Sequence, residues 1–154
     1  MSLPAHFPEL KVIPADLKSA LSSEIIALGF VAVENSDPEA EKEFKLVGST
    51  LLLKSIADIF EIDLLDELKF FTPTGKAGES FELPISAPDA KAERLLLVGL
   101  GDQSLAALRT AGATVGRKVK GKAQSISTFC VSSYANPLAL DISAHSCPTR
   151  RLRQ

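Results

Sequence analysis

Apolar positions in this chain fall into two patterns, short unbroken runs and spaced stripes. Leu95-Leu96-Leu97-Val98 is an unbroken run closed by Gly99. A run this short, apolar on both faces and ended by glycine, predicts a strand buried in the middle of a sheet. Glu24 to Val33, EIIALGFVAV, predicts a second, broken by Asn35-Ser36-Asp37-Pro38. Phe81, Leu83 and Ile85 alternate with Glu82 and Pro84. That period of two predicts a half-buried strand, near an edge because Pro84 has no N–H for a ladder. The stripes predict helices. Leu105, Leu108, Gly112, Val115 and Val119 share one side of a helix behind the Gly99-Leu100-Gly101 turn, with Asp102 or Ser104 as its cap. Leu52, Ile56, Ile59 and Phe60 predict another, capped by Ser49 or Thr50, and Leu64, Leu65 and Leu68 a short third.

Fainter signals fill the rest. Lys11-Val12-Ile13 suggests a short strand, Ala15 to Ser22 a helical turn, and Ile126 to Val131 a last strand. Glu39 to Glu43 reads as an exposed loop or a solvated turn. Strands alternating with helices predict a three-layer α/β/α domain with a mixed, mostly parallel central sheet. The expected division is an N-terminal arm over 1–10, one domain over 11–135, and a linker or disordered tail over 136–154.

Composition narrows the function classes. A length of 154 residues suits one sizeable core. A net charge of −2 supplies no general drive toward nucleic acid or an anionic membrane. Cys130 and Cys147 make neither a disulfide framework nor a metal motif. The first residues have no basic region followed by a long apolar core, and no run approaches the roughly 18 apolar residues of a bilayer span. The expectation is a cytoplasmic protein without a membrane segment.

Several residues invite a chemical reading. Gly99-Leu100-Gly101 before a helix offers backbone N–H groups to an anion. The third glycine of a dinucleotide fingerprint is Ser104 here, and Asp102 puts negative charge where a phosphate would sit. The loop Gly99, Gly101 and Asp102 is therefore the one candidate cofactor-binding element, and a tight strand-to-helix turn accounts for it better than a ligand does. Lys76 lies between glycines but lacks the hydroxyl residue that a phosphate loop places next. His6 and His145 have no ligand-spaced neighbours, and Cys130 sits in an apolar run. Asp58, Glu61, Asp63, Asp66 and Glu67 read as a solvated acidic face. Arg109, Arg117, Lys118, Lys120 and Lys122 suit a helix C-terminus better than a nucleic-acid patch, with one tyrosine and no tryptophan beside them. No catalytic residue and no metal ligand is assigned.

Three blocks in order nevertheless resemble a known family. They are Gly75-Lys76-Ala77-Gly78-Glu79, Leu95-Leu96-Leu97-Val98-Gly99-Leu100-Gly101 and Leu108-Arg109-Thr110-Ala111-Gly112-Ala113. Together, over roughly residues 10 to 133, they are similar to the amino-terminal domain of the leucyl aminopeptidase family, the cytosolic metallo-aminopeptidases. The resemblance implies a macro-like fold and a separate carboxy-terminal peptidase domain as partner. It also implies a hexameric parent that cleaves amino-terminal residues with two divalent metals, manganese or zinc. The family's N-T-D-A-E-G-R catalytic signature does not occur in these residues. The expected role is thus that of a non-catalytic domain serving assembly and access to the active site. A free-standing macro-like module for a nucleotide such as ADP-ribose is the alternative.

Overall fold

The computed structural model describes residues 17–122 and 125–128. Its elements, in chain order, are α1 (Leu17–Ser22), β1 (Ile25–Val33), β2 (Glu43–Val47), α2 (Thr50–Phe60) and α3 (Leu64–Phe70). After these come β3 (Ser80–Pro84), β4 (Arg94–Gly99), α4 (Leu105–Val119) and β5 (Ile126–Thr128). The arm 1–10, the strand at Lys11-Val12-Ile13, the tail 136–154, both histidines and both cysteines lie outside the described residues.

The sheet is built around β1. One edge of β1 carries β4, parallel, from Ile25↔Arg94 to Phe30↔Gly99. Its other edge is shared, with β5 parallel along Ile25 to Ala27 and β2 antiparallel along Gly29 to Val33. Outside β4 lies β3, antiparallel, ending at Pro84 as an edge strand can. The expectation of a mostly parallel sheet is therefore corrected, because antiparallel pairings are as numerous as parallel ones. The reason is the connections. Links 34–42 and 85–93 contain no helix, so their strands double back, whereas β1 to β4 and β4 to β5 are separated by helices that can cross over.

Alternation along the strands produces two cores. Ile26, Leu28 and Phe30 of β1 and Leu95 and Leu97 of β4 meet Leu52, Ile56 and Phe60 of α2 and Leu64 and Leu68 of α3. On the opposite face Ile25, Ala27, Val31, Leu96 and Val98 meet Leu108, Ala111 and Val115 of α4. Helices thus cover both faces, as an α/β/α domain requires, and β4 is buried from Leu95 onward.

Three details depart from the sequence expectations. β2 lies where no strand was expected; Phe44 and Leu46 pack on the first core while Lys45 faces solvent. Ser49 occupies the N-cap position of α2, but its side chain makes no capping bond. The α4 stripe departs at its first position and is wider than expected. Leu108 and Val115 are buried as expected and Val119 packs on the same core, but Leu105 is exposed, and Ala107, Ala111, Thr114 and Gly116 are buried beside them. Small side chains, more than large ones, set how closely this helix approaches the sheet.

Candidate functional site

The glycine turn after β4 is where an α/β sheet would normally receive a ligand, at the carboxyl end of its strands. Here that position is taken by the chain itself. Leu100 N–H donates to the Phe30 carbonyl at 2.9 Å, extending the ladder with β1 by one bond. Gly99 N–H donates to the Glu79 carbonyl at 2.7 Å, and Gly78 N–H donates to the Gly99 carbonyl at 2.9 Å. The segment 75–79 is thereby fastened onto the strand end from both sides.

Glycine is required at the contact. A Cβ on Gly99 would run into the Lys76 carbonyl oxygen, a backbone atom that cannot swing aside. Gly101 has φ 58°, and a Cβ there would stand 3.0 Å from the Ala77 methyl. On its other side the segment abuts α4, with Gly78 against Thr110 and Thr114.

Glu79 folds the segment from within. Both of its carboxylate oxygens accept from the Thr74 N–H at 3.0 Å, and one accepts from the Gly75 N–H at 2.9 Å and the Thr74 hydroxyl at 3.2 Å. These are charge-assisted bonds, stronger than neutral ones. Sequence reasoning assigned Glu79 no role. The available signal was an acid closing a glycine-bounded loop five residues after a threonine.

The helix N-terminus is likewise satisfied internally. Ser104 Oγ accepts from Ala107 N–H at 3.2 Å, and Asp102 Oδ1 accepts from Ser104 N–H at 3.0 Å. The hydrogen bonds from Ser104, side chain first and backbone second, hold the Asp102 carboxyl below the usual aspartate range. The candidate residues Gly99, Gly101 and Asp102 are thus brought together, around a packed joint. Lys76 has an exposed side chain.

Elsewhere the charged groups mostly serve the fold. Asp63 caps α3, accepting from Leu65 and Asp66 N–H groups at 3.0 and 3.1 Å. Lys118 and Lys122 reach Glu82 of β3 at 3.9 and 3.8 Å, and Arg117 donates to Thr114 Oγ1 at 3.0 Å. Among the described residues no group of three or more His, Cys, Asp or Glu could hold a metal ion. No helix among them is long and apolar enough to cross a membrane.

Residues 44–144 match the model of the cytosol aminopeptidase family, N-terminal domain. The chain belongs to this family. No curated protein matches it. The three glycine- and leucine-rich blocks all fall within the matched residues. In space they form one joint: Gly75 to Glu79 lies on the β4 end, and the Leu108 to Ala113 segment of α4 flanks both.

Proposed function

We propose that this cytosol aminopeptidase N-terminal domain is the non-catalytic half of a metallo-aminopeptidase. The parent would remove amino-terminal residues from peptides, with the peptidase chemistry in a separate domain. This half would serve assembly and shape access to the active site. The observation that carries the reading is the joint itself. The backbone of the motif residues is spent on one another, through bonds between Gly78, Glu79 and Gly99, which close the strand end where a ligand would approach. Helices on both faces of a mixed sheet agree with the macro-like layout the family implies. The nucleotide-binding alternative gains nothing from the geometry, since segment 75–79 covers the strand end a nucleotide would approach.

The chain alone, incubated with leucine-p-nitroanilide and manganese, is expected to give no turnover above background. Turnover at stoichiometric metal would overturn the proposal. Calorimetry with ADP-ribose separates the alternative: no heat at millimolar ligand is expected, and saturable heat would favour the binding module.

A further inference from the structure

Phe70 closes α3 and is 80% exposed. Its ring is braced from behind. Phe71 meets it edge-on at 5.6 Å, Phe81 stacks on Phe71 at 4.8 Å, and the buried Phe30 lies 6.1 Å from Phe81. A braced ring loses little side-chain freedom when something covers it. Asp66 and Glu67 stand one helical turn earlier. Neither carboxylate has an ion-pair partner among the described residues. Residues 58–70 hold five carboxylates against Lys69 alone. The surface therefore offers an aromatic face beside uncompensated negative charge.

That combination selects arginine. A guanidinium stacks on an aromatic face and forks onto a carboxylate, and a lysine ammonium does neither as well. The chain carries such groups outside the described residues. From Ile142 to Gln154 it has no acidic side chain, and Arg150, Arg151 and Arg153 surround the apolar Leu152. The 21 residues 129–149 separate this segment from Thr128 at the end of β5. Extended, they would reach about 70 Å, well beyond the breadth of a domain of this size. A tether matters here, because a contact too weak between separate molecules is populated when its halves share a chain. The other acidic run, residues 34–43, also holds five carboxylates, but exposes no large apolar side chain.

We propose that Arg150 to Arg153 dock within the same chain on the α3 surface, with their guanidinium groups on the Phe70 ring and on Asp66 and Glu67, and Leu152 against the ring. The segment then covers the most exposed large apolar side chain among the described residues. Any partner that uses this surface must displace it, so the segment acts as an internal competitor for α3. The contact is independent of the peptidase reading above, and its test does not involve turnover.

Amide NMR shifts of the full chain test it. Arg150→Glu, Arg151→Glu and Arg153→Glu together are expected to move the Asp66, Glu67 and Phe70 resonances and to leave those of Leu95 to Val98 in place. High salt is expected to move the same α3 resonances, by screening the ion pairs. A dilution of about tenfold is expected to change nothing, as a contact within one chain requires. Phe70→Ala, at an exposed position, should abolish most of the response of Asp66 and Glu67 to the reversed segment, with an unchanged melting curve. Asp66→Lys and Glu67→Lys, added to the reversed segment, should restore the salt dependence of the Phe70 resonance. A reversed segment that leaves α3 unmoved, a response centred on residues 34–43, one that dilution removes, one that survives Phe70→Ala, or no recovery on reversing both sides would overturn the proposal.

Discussion

The two faces of the sheet are covered in different ways. One carries three short helices and fills the space with large side chains, among them Ile56, Phe60, Leu68 and Phe30. The other carries the single 15-residue α4, which approaches through Ala107, Ala111, Thr114 and Gly116. Large side chains on the first face hold the helices by apolar area, roughly 1.5–3 kcal/mol for each fully buried Leu, Ile or Phe. Small ones on the second face leave room for segment 75–79 to reach the end of β4. The difference separates a face that is sensitive to loss of volume from one that is sensitive to its gain.

The sharpest way to break this contrast is Gly99→Ala. One added methyl meets the Lys76 carbonyl, so either the joint or the strand end must shift. The expected loss exceeds about 4 kcal/mol, read from a urea unfolding midpoint or as failure to express folded protein. Next come reciprocal changes on the two faces. Ile56→Ala should cost about 2–5 kcal/mol by leaving a cavity, and Ala111→Leu about 1–3 kcal/mol by overpacking, since both positions are buried. A neutral Ala111→Leu would mean that α4 stands further off than described. Glu79→Gln keeps the shape of the side chain but removes the charge that Thr74 and Gly75 bond to. About 1–2 kcal/mol is expected, with faster hydrogen exchange at Thr74 and Gly75.

The smallest effect concerns pH. Asp102 is held below its ordinary range in the folded state, chiefly by its bonds with Ser104. A carboxyl whose folded pKa is depressed favours folding fully above its unfolded value, near 4 by ordinary aspartate behaviour. That contribution is lost as pH falls through the depressed folded value. Asp102→Asn should therefore flatten the acid limb of stability against pH below about 4, leaving the neutral limb unchanged. An unaltered acid limb would remove Asp102 from the cap.

Much of this architecture was legible in residue patterns. The run Leu95 to Val98 is apolar at every position because both faces of β4 are covered, and β1 reads the same way. Alternation at Phe81 and Leu83 with Pro84 beyond them marked the edge strand. Strand direction was not legible, because an apolar pattern has no sense along the chain; the helix-free links 34–42 and 85–93 decided it. β2 was hidden behind the glutamates that precede it, with Phe44 and Leu46 turned to the first core and Val47 to the second. The α4 stripe was found at Leu108, Val115 and Val119 but was incomplete, because alanine, threonine and glycine carry little hydropathy yet are buried beside them. The candidate turn at Gly99 to Asp102 was found by its glycines. What fills it was not, since the pairing of Gly78 and Glu79 with Gly99 joins residues distant in sequence.

The central claim is that the strand end around Gly99 is closed by the chain's own segment 75–79. Native-state hydrogen exchange at the Gly78 and Gly99 amides tests it most directly, because each donates across that joint. Protection approaching that of the Leu95 to Val98 amides is the expected result. Exchange at loop rates, with the sheet amides still protected, would show the joint open and contradict the account.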